Sequence, residues 1–142
     1  MNDVLDTTWA DAQLGYLLRR AVATMNADLK AHTDDAVRPV LVTMLSVIDA
    51  NPGVSQSAAG DALGIKRPNV ATLVAELTDA GLVARTASPD DARRHELRLT
   101  PAGRAALTAG QQAIASHEAR VLSNLSTSES DTLLRLLRTV VV

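Results

Sequence analysis

The densest group of chemically capable residues is SPDDARRHELRLTPAG, Ser88 to Gly103, where the carboxylates Asp90 and Asp91 stand beside Arg93 and Arg94. Neighbouring carboxylates can divide acid and base roles in catalysis, but arginines this close suit them better as ion-pair partners. A second group, Lys66-Arg67-Pro68-Asn69, sets two cations and an amide where a proline fits the first turn of a helix. Other chemistry is missing. The chain has no cysteine, which excludes thiolate nucleophiles, disulfides and cysteine-ligated zinc. His32, His95 and His117 are widely separated, without a short metal-ligand spacing. Neither a glycine-rich phosphate loop nor a Ser-His-Asp arrangement stands out, so no enzyme, metal or cofactor is expected.

These groups must be positioned by a chain of 142 residues, 46% hydrophobic and 21% charged, which is the length of one domain and too apolar for disorder. No apolar run approaches 18 residues, so no membrane span is expected, and the start lacks a secretory pattern. The cytoplasm follows as the expected location. A net charge of -2 does not by itself suggest a nucleic-acid partner.

Apolar spacing then sets out the elements. Leu14, Leu17, Leu18, Ala21, Val22, Met25 and Leu29 predict one long helix from Trp9 to about Ala31. A second begins after Asp34 and Asp35, candidate caps, with Pro39 in its opening turn, and stops at Asn51-Pro52-Gly53. A short helix from Gln56 to Leu63, capped by Ser55 and closed by Gly64, precedes one in which Val70, Leu73, Val74 and Leu77 share a face and Gly81 terminates. Together these two form a helix-turn-helix. Leu82 to Ala87 and Glu96 to Thr100 read as two strands of a hairpin with Ser88 to His95 at its tip, Leu97 and Leu99 pointing one way and Glu96 and Arg98 the other. Thr100-Pro101 opens another long helix to about Leu125, and Ser126-Thr127-Ser128-Glu129 is a capping box for the last. That final helix carries Leu133, Leu134, Leu136, Leu137, Val140, Val141 and Val142, more than one wetted stripe holds, so a second subunit is expected to cover it in a twofold dimer.

The fold class is therefore mainly α with a small β-wing. This order of elements resembles the MarR family of bacterial transcriptional regulators, and the resemblance covers nearly the whole chain. Its most specific part is the hairpin. The family pattern of D-x-R, an apolar residue, L-T and a glycine three residues later stands here as Asp91-Ala92-Arg93, Leu97, Leu99-Thr100 and Gly103, with Gly81-Leu82-Val83-Ala84-Arg85 as the helix-to-strand junction. The resemblance implies one domain over 1–142, with a winged helix-turn-helix at 36–100 and dimerisation helices at 10–32 and 101–142. It further implies a homodimer on a near-palindromic double-stranded DNA operator, with repression as the family's usual outcome.

With the apolar set of the fourth helix facing inward, Pro68, Ala71, Thr72, Ala75 and Asp79 turn outward, with Lys66, Arg67 and Asn69 at the amino end. Asn can bond adenine and Arg guanine, small Ala71 and Ala75 admit close approach, and the helix end offers free N–H groups to phosphate. Ser55 and Gln56 can touch the DNA backbone in the same way. Arg67 and Asn69 can equally be solvated capping residues. As the resemblance implies, Arg93 enters the minor groove and Asp91 orients it, while Arg85 and Arg94 contact phosphate or join the same ion network. From Lys66 to Arg104 seven Lys or Arg face five Asp or Glu, a net of +2, so specificity must come from two lobes reading successive half-sites.

Family members commonly release DNA when a small anionic, often aromatic, compound binds, and a phenolic acid is the effector class implied here. Arg19 and Arg38 are candidate carboxylate holders, with Trp9, Tyr16, Arg20 and His32 nearby in sequence; the alternative is that the arginines form surface or interhelix ion pairs. The competing functional reading is a winged-helix protein-interaction module that does not bind DNA.

Overall fold

The computed structural model describes residues 6–32, 38–87 and 95–141. Its elements run α1 (Thr8–Asp11), α2 (Leu14–His32), α3 (Pro39–Ala50), β1 (Val54–Ser55), α4 (Gln56–Ala62), α5 (Arg67–Asp79), β2 (Val83–Ala87), β3 (His95–Leu99), α6 (Pro101–Val121) and α7 (Thr127–Val140). The candidate caps Asp34 and Asp35 lie outside the described residues. Two compact units are present, 1–34 with 115–142 and 35–114.

The unit at 35–114 is a winged helix-turn-helix. Its core takes Met44 and Ile48 from α3, Val70, Val74 and Leu77 from α5 and Leu97 from β3, each at most 2% exposed. Burying side chains of this kind contributes about 1.5–3 kcal/mol apiece, which fixes α5 by its inner face. The sheet order is β1-β3-β2, antiparallel throughout, with Val83 opposite Leu99, Arg85 opposite Leu97 and Val54 also opposite Leu97. The hairpin of two strands is thus a sheet of three, because Gly53 N–H donates to the Leu97 carbonyl at 2.9 Å and draws Val54–Ser55 onto the free edge of β3.

The other unit differs from expectation at two helix ends. The first long helix is broken at Ala12–Gln13, where Ala12 and Gln13 N–H bond back three residues to Trp9 and Ala10, and the Thr7 hydroxyl donates to Asp11 at 2.7 Å. α6 stops at Val121, not Leu125, in similarly tight turns from Ser123 to Arg120 and from Leu125 to Leu122. α7 is opened by the expected capping box, in which the Ser126 hydroxyl accepts from Glu129 N–H and the Glu129 carboxylate accepts from Ser126 N–H.

α2 and α6 are joined by a polar knot. Asp28 accepts from His117 Nδ1 at 2.8 Å and from Arg120 Nη2 and Nε at 2.8 and 3.1 Å, and His117 is only 2% exposed. Arg120 first, and His117 second, hold the Asp28 carboxyl well below its ordinary value of 3.8. A depressed acid contributes stability above its unfolded value and loses it as pH falls through the folded one. The melting-temperature gap between wild type and Asp28→Asn is therefore expected to be full above about pH 5 and to narrow as pH drops below about 4. Thermal melts from pH 7 to pH 3 check this; a constant gap would show that Asp28 acts by shape alone.

Candidate nucleic-acid interface

The surface is built from α4, the turn after it, and α5. Ser55 caps α4, its hydroxyl accepting from Ala58 N–H at 3.2 Å. The turn follows from Gly64, whose φ of +63° lies where glycine is favoured; Ile65 N–H then reaches the Gly60 carbonyl and Gly64 N–H reaches Asp61. α5 begins at Arg67 with Pro68 in its first turn. It ends in the same closure, with Gly81 at φ +70°, Leu82 N–H on Leu77 and Gly81 N–H on Thr78.

Burial of Val70, Leu73, Val74 and Leu77 leaves Lys66, Arg67, Pro68, Asn69, Ala71, Thr72 and Ala75 exposed along one face. Among the described residues Lys66, Arg67 and Arg85 have no acidic partner, whereas Arg98 pairs with Glu96 at 3.1 Å, Arg104 with Asp49 at 3.8 Å and Arg38 with Glu76 at 2.5 Å. The unpaired cations thus lie at the start of α5 and on β2. The Thr72 hydroxyl donates to the Pro68 carbonyl at 3.2 Å, leaving its methyl and remaining lone pairs for contacts. Ser55 and Gln56 are half-buried, and the Ser55 hydroxyl is committed to its cap and to Ser57 Oγ at 3.2 Å; a phosphate contact there falls to the backbone.

The hairpin strands flank this face. Leu97 and Leu99 point into the core while Arg98 and Arg85 are exposed, as the alternation requires. Asp91, Arg93 and Arg94 lie outside the described residues, as does Asp90.

Thr100, read in the sequence only as a helix cap, locks the hairpin to α5. Its hydroxyl donates to the Gly81 carbonyl at 2.7 Å and accepts from Gly103 N–H at 3.0 Å, while its N–H donates to the Leu82 carbonyl at 3.0 Å. The end of the reading helix, the root of the wing and the start of α6 therefore meet on one side chain. The L-T-x-x-G spacing was the available signal.

The six candidate effector residues do not form one group. Arg19 and Arg20 lie over the Tyr16 ring, each guanidinium 5.7 Å from its centre, and Arg20 also reaches Asp11 at 3.7 Å. Trp9, on α1, is 78% exposed. His32 turns back to Asp28, its Nδ1 2.9 Å from the Asp28 carbonyl. Arg38 belongs to the winged unit and pairs with Glu76 of α5, the interhelix ion pair that was the alternative reading of this arginine.

Comparison with known proteins agrees with this architecture. A MarR family model matches residues 42–94, from α3 into the wing. A protein assigned as transcriptional regulator of the hcr operon in Thauera aromatica is 38% identical over 128 residues, covering 89% of this chain and 77% of that one. The repressor CouR, solved on a 23-mer DNA duplex, superposes with a TM-score of 0.89 at 35% identity, covering 97% of this chain and 99% of that one; it is also solved with p-coumaroyl-CoA. The regulator PcaV of Streptomyces coelicolor, in complex with its natural ligand, gives 0.85 at 26% identity over 96% and 95% of the two chains.

Proposed function

Because this chain belongs to the MarR family of transcriptional regulators, we propose that it is a sequence-specific repressor that binds a near-palindromic DNA operator as a homodimer and lets go when a small anionic, aromatic effector binds. The observation that carries this reading is the exposed face of α5, where Lys66 and Arg67, without acidic partners among the described residues, and Asn69 sit on a helix held by its opposite face. In this reading Arg67 and Asn69 contact base edges, and Lys66, Arg85 and the amino ends of α4 and α5 contact phosphate. Arg93, oriented by Asp91, enters the minor groove beside each recognition helix.

The dimer is supported by the apolar side chains that one chain leaves uncovered on α2 and α7, including Leu14, Leu17, Val22, Leu133, Leu136 and Val140. Two lobes related by a twofold axis then meet two half-sites roughly one helical turn apart.

Fluorescence anisotropy with the DNA upstream of its own coding region tests the proposal. Affinity falling steeply with salt is expected, since each phosphate contact releases a counterion. The protein-interaction reading predicts no such affinity. Within the DNA-binding reading, Arg93→Ala is expected to weaken operator binding more than tenfold, about 1.4 kcal/mol or more, while leaving dimer and melting point unchanged. Unchanged affinity would remove the minor-groove role.

A further inference from the structure

Resting on the reading of the chain as an effector-released repressor, we propose that Arg38 anchors the carboxylate of a single-ring aromatic acid whose ring fills an apolar pouch inside the winged unit, and that this carboxylate competes with Glu76 for the guanidinium. The pouch is about 260 Å³ and is lined by Leu41, Leu45, Leu77, Leu82, Ala106 and Ala109 among others, with Arg38 as its one charged residue. That volume lies just below the roughly 300–1,000 Å³ of ordinary ligand pockets, so it suits a compact ring and not a large conjugate. An apolar chamber with one cation at its edge selects an amphipathic anion.

The arginine is prepared for such a ligand. It immediately precedes Pro39, which fixes the backbone as α3 begins, and its side chain is about half exposed. Only Nη1 is used: it donates to both carboxylate oxygens of Glu76, at 2.5 and 2.7 Å. Nε and Nη2 have no partner among the described residues. That edge of the planar fork matches a carboxylate in the two-bond geometry guanidinium favours.

Arg38 also lines a second cavity, of about 650 Å³, together with Lys66, Asn69 and Thr72 of the reading face. It therefore stands between the pouch and the residues assigned to DNA. A ligand carboxylate beside it places two anions on one guanidinium, and their repulsion weakens the Glu76 contact. Glu76 is on α5, so the link from α3 to the recognition helix loosens as the pouch fills. Coupling is reciprocal: the acid lowers DNA affinity by the factor by which DNA lowers acid affinity, typically about 5–150-fold.

The test uses the full chain, titrated calorimetrically with benzoate, 4-hydroxybenzoate, 3,4-dihydroxybenzoate, methyl benzoate and benzoyl-CoA, with DNA affinity measured by anisotropy at zero and saturating acid. At least one free acid is expected to bind, and the ester and the thioester, which lack the carboxylate, are not expected to bind in the pouch. Arg38→Gln is expected to weaken the acid tenfold or more. Glu76→Gln is expected to tighten it threefold or more, by removing the competitor, and at the same time to shrink the acid's effect on DNA affinity. Ala109→Leu, which narrows the pouch without touching either charge, is expected to abolish acid binding and spare DNA binding. Wild-type DNA binding with no response to any acid, or acid affinity unmoved by Arg38→Gln or Glu76→Gln, overturns the inference and leaves the regulator reading standing. Absence of salt-dependent DNA binding in the wild type would instead remove the regulator reading itself.

Discussion

Gly103→Ala is expected to cost about 3 kcal/mol and to lower the melting temperature by roughly 10 °C. On helix propensity alone the substitution should help, because alanine is preferred to glycine in a helix interior by about 0.8–1 kcal/mol. Geometry reverses the sign. A Cβ on Gly103 would stand 2.0 Å from the Leu82 carbonyl oxygen and 2.9 Å from its carbon, and both belong to backbone that cannot turn aside. Relief requires the first turn of α6 to move off Leu82, and that movement pulls Thr100 from Gly81 and from Leu82. The wing root loosens with it, so operator affinity should fall along with stability.

Two comparison variants separate the clash from general helix effects. In Gly110→Ala the new methyl meets the Val42 side chain at 2.6 Å, a branched group that can shift its rotamer, so the loss should be smaller. Ala102→Gly, at an exposed position one residue earlier, should cost no more than about 1 kcal/mol. Thermal melts of the three variants rank them. A Gly103→Ala protein as stable as wild type would mean that α6 does not seat on Leu82.

What was legible in the sequence was what depends on neighbours within a turn or two. Ser55 and Ser126 cap their helices because a hydroxyl reaches an N–H three residues on, and Gly64 and Gly81 end theirs because a positive φ favours glycine. The exposed face of α5 was readable for the same reason: it is the complement of the apolar spacing at Val70, Leu73, Val74 and Leu77. What depended on distant partners was not. The strand Val54–Ser55 is two residues long and exists because β3 offers it an edge. Asp28 is 89 residues from His117 and 92 from Arg120, and Arg38 is 38 from Glu76, so no local pattern announces either contact. The effector candidates scattered for a related reason, since proximity in sequence at Trp9, Tyr16, Arg19 and Arg20 says nothing about Arg38 in the other unit.

The largest effect on DNA binding is expected from a change far from the recognition helix. Leu133→Glu combined with Leu136→Glu should convert the dimer to a monomer in sedimentation and weaken operator binding by more than a hundredfold. Both side chains are exposed in the single chain, at 38% and 49%, and α7 has no buried residue there, so neither substitution removes a contact from the protomer's own core. In a twofold interface each substitution occurs twice, so four carboxylates enter an apolar surface and must be desolvated or the subunits must part. Once parted, each lobe holds a single half-site. The second engagement, formerly intramolecular, loses its effective concentration, an advantage of about 10²–10⁴ in linked binders. The monomer should melt with its winged unit intact and keep weak, salt-dependent affinity for DNA. If the double variant stays dimeric, α7 is not the subunit contact; if it becomes monomeric with full affinity, one lobe suffices and the paired-half-site account of specificity fails.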